Sequence, residues 1–267
     1  MEYTDVWGYF GAIIIGLVLG LIGGGGSILT VPVMVYLFGL NPLVATAYSL
    51  FVVGVTSMVG AIRNISKGLV DMRTAIIFSL PALLAVYLTR RFFIPALPDT
   101  LFQIKDFEIS KEIGIMVFFA LIMLIASYFM IFGNCKHCDN DEKSAVVYNY
   151  PMIVLEGIIV GFLTGIVGAG GGFLIIPALV LLAKLPMKKA VATSLLIIAI
   201  KSLIGFIGDV ENLAMDWIFL LIFTLLSIAG IFLGIYLNKF IKESRLKNYF
   251  GWFVFVMAVY ILYKELK

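Results

Sequence analysis

The sequence predicts an all-α polytopic membrane protein made of two homologous halves, each with four apolar segments. Three observations lead to this fold class. The chain of 267 residues is 62% hydrophobic and 13% charged, with a mean hydropathy of +1.11, whereas soluble domains are near half apolar and a quarter charged. The apolar residues form eight long segments, and a glycine-rich run in the first segment recurs in the fifth.

The apolar segments define the predicted helices. Their approximate ranges are 7–37, 43–62, 72–96, 113–132, 152–182, 190–207, 217–237 and 249–263. Most contain the roughly 20 residues that a helix needs to cross a hydrocarbon core of about 30 Å. The first and fifth have about 30 residues, or about 45 Å of straight helix. We therefore expect each of them to break at its glycines into a long arm, a turn inside the membrane and a short arm.

The two glycine runs belong to an internal repeat. Residues 20–32 read "GLIGGGGSILTVP" and residues 165–177 read "GIVGAGGGFLIIP", with Pro32 and Pro177 145 positions apart. Chance similarity between oily segments explains matched aliphatic residues, but Gly, Pro, Ser and Asp also match at this offset. The pairs include Gly25 with Gly170, Ser49 with Ser194, Ser57 with Ser202 and Asp71 with Asp216. We predict a first transmembrane repeat at 1–133, a polar linker at 134–149 and a second transmembrane repeat at 150–267.

The motifs within each repeat resemble a known family. Each glycine run leads to a proline and is followed by "ATAYSL" (45–50) or "AVATSL" (190–195), and this order resembles the TauE/SafE sulfite exporter family over nearly the whole chain. The resemblance implies a multi-pass transporter of the prokaryotic plasma membrane that handles sulfite, sulfonates or related organosulfur anions. Distant thiosulfate-uptake proteins of the YeeE type use membrane-embedded cysteines, whereas Cys135 and Cys138 lie in the linker.

The two repeats are expected to be inverted. If each glycine run turns the chain back, every half crosses the membrane an odd number of times; if each long segment crosses once, the halves are parallel. Inversion divides Lys and Arg more unequally between the two sides, which the positive-inside rule favours. Inverted repeats with discontinuous helices also recur in transporters. We predict cytoplasmic loops at Arg63 and Lys184, a cytoplasmic linker and both termini outside.

The glycine turns are the predicted binding site. Irregular backbone at membrane depth persists only where protein buries it or water reaches it, and the short arms would direct free N–H groups at the turns, a favourable place for an anion. The alternative is close helix packing, which we assign to Gly16, Gly157 and Gly161. The predicted substrate-binding residues are Gly24, Gly25, Gly26, Ser27, Ser49, Gly170, Gly171, Gly172, Ser194 and Lys201.

A lysine lies deep in the sixth apolar segment. Lys201, in "LLIIAIKSLIGF", matches Thr56 of the first repeat, so the repeat itself does not require the charge. A cation at that depth normally faces a cavity or a partner. We interpret it as a substrate-binding or proton-handling residue, with a structural ion pair to an acid such as Glu156 as the alternative. Glu156 and Lys201 are the predicted coupling residues, although Glu156 lies near a segment end where interfacial water is the alternative partner.

Other polar residues receive structural interpretations. Asp71 and Asp216 precede apolar segments and are expected to cap helices. Arg90 and Arg91 are expected to anchor a membrane edge. A lone C-x-x-C at Cys135 and Cys138 is weak evidence for a metal or redox site, and a disulfide, a metal and inert thiols stay open.

Two common enzyme motifs are absent from the sequence. Neither a His-Glu-x-x-His metal pair nor a Gly-x-x-x-x-Gly-Lys phosphate loop is present, so we predict no catalysis, no cofactor and no ATP hydrolysis. We predict a secondary transporter that moves small anions, sulfite or organosulfonates, with coupling to the proton gradient; a passive anion channel is the alternative. The partners expected are the anion and the lipid bilayer, not nucleic acid. The anion, the direction of flux, the coupling ion, the orientation and a homodimeric state are left open.

Overall fold

The computed structural model describes residues 3–98, 100–104, 107–132, 150–167, 171–181, 185–210, 213, 215–238 and 243–265. Almost all of them are helical, which confirms the all-α polytopic fold class. The helices are α1 (Tyr3–Ile22), α2 (Ser27–Tyr36), α3 (Pro42–Ile65), α4 (Met72–Leu88), α5 (Ile94–Ala96), α6 (Lys111–Phe132), α7 (Tyr150–Val167), α8 (Gly172–Leu181), α9 (Met187–Val210), α10 (Trp217–Leu237) and α11 (Glu243–Glu265).

In the described ranges, two irregular turns and one hairpin interrupt the helices. A 3₁₀ turn at Gly24–Gly26 joins α1 to α2, and a π-helical turn at Thr89–Phe93 joins α4 to α5. The antiparallel strands β1 (Thr100–Ile104) and β2 (Phe107–Ser110) lie between α5 and α6. This hairpin is a local exception to the helical architecture.

Five helical stretches in the described part of the chain are long and apolar enough to cross a membrane. They are Pro42–Ile65, Met72–Ala96, Lys111–Tyr128, Lys188–Val210 and Trp217–Leu237. Shorter apolar helices at Trp7–Ile22, Ser27–Tyr36 and Pro151–Val167 correspond to the arms of the two broken segments. The protein is therefore a multi-pass membrane protein.

The first broken segment folds into a re-entrant hairpin. A Cβ atom added to Gly26, next to the turn, would lie 2.5 Å from the backbone nitrogen of Leu19. At the other end of the hairpin, a Cβ atom on Gly11 would lie 3.1 Å from the Val33 side chain. Residues late in α2 therefore lie beside residues early in α1, so the chain enters and leaves on the same side. The predicted break at the glycines is confirmed.

The packing between the halves shows that the repeats are inverted. Helix α3 of the first half packs against α9, its equivalent in the second half, with Gly54 beside Leu203 and Gly60 beside Leu195. The residue numbers rise along one helix as they fall along the other, so these equivalent helices are antiparallel. The two-fold axis that exchanges the halves therefore lies across the helices, in the plane of the membrane. The inverted arrangement is the one that the sequence favours.

Two equivalent hydrogen bonds join the halves at opposite ends of α3 and α9. The backbone N–H of Asp71 donates to Thr193 Oγ1 at 2.9 Å, and the backbone N–H of Asp216 donates to Tyr48 Oη at 2.6 Å. Both donors and both acceptors are 145 positions apart. The side chain of Asp71 also accepts from the backbone of Thr74, and that of Asp216 from Ile218 and Phe219. The predicted helix caps are confirmed.

Three glycines outside the two runs serve helix packing. A Cβ atom on Gly16 would lie 1.8 Å from the carbonyl oxygen of Ser227, and those on Gly157 and Gly161 would meet backbone atoms of α4 at 2.8 and 2.5 Å. Helix α1 therefore packs closely on α10, and α7 packs equivalently on α4. The packing roles predicted for these three glycines are confirmed. The linker 134–149 lies outside the described residues, so the repeat boundaries stay predictions.

Candidate functional site

The two broken segments meet backbone to backbone. A Cβ atom on Gly24 would lie 2.0 Å from the Cα atom of Gly172, and the reverse substitution gives the same distance. Gly24 belongs to the 3₁₀ turn that precedes α2, and Gly172 is the first residue of α8. Only glycine allows two backbone segments to approach each other this closely. The starts of the two short helices therefore lie at one place in the molecule.

Both turns require a glycine for their backbone conformation as well. Gly23 has φ 79° and Gly171 has φ 65°, a region that other L residues rarely adopt. Gly171 is also confined by its neighbours, because an added Cβ atom would lie 1.9 Å from the Thr164 side chain. Sequence reasoning proposed glycines for a turn and for close approach, and the structure uses them for both purposes.

Helix α9 lines this junction with three side chains. The Ser194 hydroxyl lies 3.2 Å from the position of a Cβ atom on Gly23, and Ile198 Cδ1 lies 2.7 Å and 2.5 Å from the corresponding positions on Gly24 and Gly172. Lys201 follows at the Gly171 turn, with its Nζ atom 2.8 Å from the Cβ position there. The spacing of three to four residues places these side chains on one face of α9.

The buried ammonium group of Lys201 lies beside the second turn. The residue is 1% exposed, and Nζ donates to Thr164 Oγ1 at 3.1 Å. Thr164 in turn donates to the carbonyl oxygen of Gly161. Lys201 and Glu156 form no ion pair with each other, so Glu156 is not the acid of the structural pair considered as the alternative. An ammonium group can donate three hydrogen bonds, and among the described residues Thr164 supplies its acceptor.

The remaining predicted residues have varied surroundings. Gly25 lies within the 3₁₀ turn, and Gly26 packs against α1. The hydroxyl of Ser27 donates to the carbonyl oxygen of Gly24 at 2.7 Å, and that of Ser194 to Val191 at 2.8 Å. Ser49 is buried, and its hydroxyl has no hydrogen-bond partner in the described part of the chain.

Four of the residues considered in the sequence are not assembled at the junction or are not described. Glu156 lies on α7, eight residues before Thr164, which corresponds to about 12 Å of helix rise. Its Oε1 atom is buried, and none of the residues that the structure describes forms a hydrogen bond with it. Gly170 lies outside the described residues, as do Cys135 and Cys138. Their predicted roles stay predictions.

Arg90 is a buried residue that sequence reasoning interpreted wrongly. It is 1% exposed rather than anchored at a membrane edge. Its Nη1 atom donates to Asp209 Oδ2 at 3.1 Å and to Thr46 Oγ1 at 3.0 Å. The ion pair therefore joins the π-helical turn of the first half to α9 of the second. Sequence reasoning placed Asp209 just beyond its segment; α9 continues to Val210 and carries it into the protein.

The other residue missed from the sequence is Thr164. It is a lone hydroxyl in "GFLTGIVG", one turn before the second glycine run. That position was the available signal, because a polar side chain next to a helix break inside a membrane has few acceptors to choose from. Hydroxyls commonly bond to their own helix backbone, and Thr164 does so while also accepting from Lys201.

Comparisons with known proteins agree with the repeat motifs. The family model described as "Sulfite exporter TauE/SafE" matches residues 9–261. A "Probable membrane transporter protein" of Xylella fastidiosa is 28% identical over 255 residues, covering 94% of this chain and 92% of that protein. The "Probable membrane transporter protein YunE" of Bacillus subtilis is 27% identical over 234 residues, covering 78% of this chain and 81% of that protein.

An archaeal relative has similar coverage. A probable membrane transporter protein of Methanocaldococcus jannaschii is 26% identical over 270 residues, covering 94% of both chains. No solved structure matches the chain. The inverted helices and the relatives together identify a membrane transporter.

Proposed function

The chain belongs to the TauE/SafE sulfite exporter family, and we propose that it is a secondary transporter moving a small anion, sulfite or an organosulfonate, across the prokaryotic plasma membrane. The observation that carries this proposal is the position of Lys201. Its buried ammonium group lies at the Gly171 turn, next to the contact between Gly24 and Gly172. One cation and the starts of two helices therefore converge on one place.

The electrostatics of this junction favour an anion. Each helix start carries the equivalent of about half a positive charge, and Lys201 adds a full charge. A buried cation without an acidic partner is costly, and Glu156 does not supply that partner. A bound anion balances the charge, so binding of the substrate and burial of Lys201 support each other.

We further propose that transport is coupled to protons through Glu156 and Lys201. Each side chain can take up and release a proton, and each lies in an apolar helix of the second repeat. Two inverted repeats around one central site suit alternating access, because rocking one half against the other exposes the site to each side in turn.

The experiment is a flux measurement on the purified full chain in proteoliposomes. Sulfite, sulfoacetate, taurine and thiosulfate are each offered with and without an imposed pH gradient. A carrier gives saturable flux that changes with the pH gradient for at least one of these anions. Unsaturated current that follows the membrane voltage would show a passive channel instead, and absence of flux for every anion would contradict anion transport.

A further inference from the structure

Three N–H groups of Arg90 are buried and have no hydrogen-bond partner among the described residues. Its Nη1 atom is occupied by Asp209 and Thr46, whereas Nε and Nη2 have no acceptor. The residue is only 1% exposed. Buried donors are normally satisfied, because leaving one without an acceptor costs about 1–3 kcal/mol. The free donors therefore indicate a group that binds there.

The free donors have a particular geometry. Nε and Nη2 form one edge of the planar guanidinium group, and their N–H bonds point in parallel directions. This edge fits two oxygen atoms of one carboxylate, sulfonate or sulfite group. We propose that the Nε/Nη2 edge of Arg90 is a second binding position for an oxyanion, separate from the junction at Lys201. This inference rests on the proposed anion transport.

The neighbouring carboxylate of Asp209 limits the affinity of Arg90 for such an anion. Asp209 is 4% exposed and neutralises Arg90 through one nitrogen atom only. The guanidinium group is thereby oriented, while the pair as a whole has no net charge to trap an anion. Binding depends on the directed hydrogen bonds of the free edge, which suits a position that the anion occupies in transit.

The second position lies towards one side of the membrane. Asp209 is eight residues beyond Lys201 on α9, about 12 Å of helix rise. On α3, Thr46 contacts Arg90, and the unpartnered hydroxyl of Ser49 follows three residues later in the direction of the glycine turns. Asp216 follows the end of α9, and its backbone N–H donates to Tyr48 near the start of α3. The end of α9 therefore lies on the side of the membrane where α3 begins. Because the first segment is a re-entrant hairpin, α1 begins on that side as well.

The Arg90 cluster has no equivalent set of polar residues at the symmetry-related place in the protein. The residues that match Arg90, Asp209 and Thr46 at the repeat offset are Ile235, Asn64 and Val191. Asn64 donates to the carbonyl oxygen of Gly60 in its own helix. The repeat scaffold therefore does not require the Arg90 cluster, and the anion path has an extra binding position on one side only.

The test measures how many anions bind to the full chain. Radiolabelled methanesulfonate is used in equilibrium dialysis of the purified protein, because it presents three oxygens and no other recognition group. The wild type is expected to bind two equivalents. Arg90→Lys keeps the charge and the pair with Asp209 but lacks the two-donor edge, so it is expected to bind one. Arg91→Lys changes the neighbouring, partly exposed arginine in the same manner and is expected to bind two.

Two further variants distinguish loss of the Arg90 position from loss of folding and from failure of the proposed anion transport. Lys201→Met is expected to bind one equivalent, which remains only if Arg90 binds independently. If Arg90→Lys does not fold, Arg90→Gln combined with Asp209→Asn removes both charges and is expected to bind one. Two equivalents in a folded Arg90 variant, or one in the wild type that Lys201→Met abolishes, would overturn the second position alone. A wild type that neither binds nor transports any of the anions would overturn the proposed function as well.

Discussion

The hydrogen-bond partners of the buried cations Arg90 and Lys201 distinguish their roles. Arg90 has an acid, Asp209, at 3.1 Å, whereas Lys201 donates to a hydroxyl, that of Thr164. A buried ion pair is largely compensated within the protein, but a buried cation held by a hydroxyl leaves its charge unbalanced. We therefore assign Lys201, rather than Arg90, to the main anion site.

Replacing Lys201 by Met tests its role in binding. The substitution keeps the approximate length and removes the charge, so we expect the affinity for the transported anion to fall at least tenfold, about 1.4 kcal/mol. Lys201→Arg should bind the anion but transport poorly, because a guanidinium group stays protonated. Isothermal titration of the folded proteins measures the affinity, and flux in proteoliposomes measures the transport. Lys188→Met, at an exposed position of the same helix, is the control, and unchanged affinity in Lys201→Met would exclude Lys201 from the site.

Replacing Asp209 by Asn tests the buried ion pair. The change leaves Arg90 as an uncompensated buried charge, and such variants lose about 3–5 kcal/mol of stability. We expect a clear fall in thermal unfolding temperature, with recovery when Arg90→Met is added because the charge is then gone. A stable Asp209→Asn protein, or a double variant as unstable as the single one, would show that the pair does not hold the two halves together.

At the scale of elements, the broken helices follow from length and composition together. A segment of about 30 apolar residues is too long for one crossing, and a break leaves backbone groups that must be buried in protein. Here the first break is buried against the second, through Gly24 and Gly172. The glycines therefore allow the turn and also the contact that shelters it.

Adding one methyl group to a glycine tests the contact between the breaks. Gly24→Ala would place Cβ 2.0 Å from a backbone atom of Gly172, so the turns must separate. Overpacking of this kind costs about 1–3 kcal/mol, and we expect a lower unfolding temperature together with loss of flux. Gly11→Ala lies in the same hairpin but meets only the Val33 side chain at 3.1 Å, and it should be milder on both counts. Equal behaviour of the two variants in unfolding and flux assays would contradict the close contact.

At the scale of the whole molecule, the symmetric scaffold carries an asymmetric set of polar groups. The hydrogen bonds of Asp71 and Asp216 obey the two-fold relation. Lys201 and Arg90 do not, since their equivalents are Thr56 and Ile235. The scaffold supplies two similar helix breaks, and the departures from the repeat supply the charges that would select and pass an anion.

Labelling of single cysteines tests the topology. In a background with Cys135→Ser and Cys138→Ser, we expect Trp7→Cys and Leu37→Cys to react with a membrane-impermeant maleimide from the same side. Both positions are exposed at the open end of the first hairpin, Trp7 early in α1 and Leu37 directly after α2. Ser66→Cys, in the exposed loop after α3, should react from the other side. Labelling of positions 7 and 37 from opposite sides would mean that the first segment crosses the membrane in one piece.

Much of this architecture could be predicted from the sequence because the repeat leaves local signals. The offset between Pro32 and Pro177 located both breaks, and the aspartates before α4 and α10 predicted their caps. Arg90 could not be recognised in this way. Its burial depends on α9, more than 100 positions later in the chain, and on a π-helical turn, an irregularity frequent at functional sites but without a sequence pattern of its own. Pairings between distant helices follow from tertiary packing, which local periodicity does not encode.

We infer that the transported anion binds where the two helix breaks meet, beside Lys201. The most direct measurement is an experimental structure of the wild-type protein with 2-bromoethanesulfonate, in which the anomalous signal of bromine marks the ligand. We expect density at the contact between Gly24 and Gly172, with sulfonate oxygens within hydrogen-bond distance of Lys201 Nζ. Ligand density confined to other parts of the molecule, or glycine breaks that lie apart on opposite sides of the membrane, would contradict it.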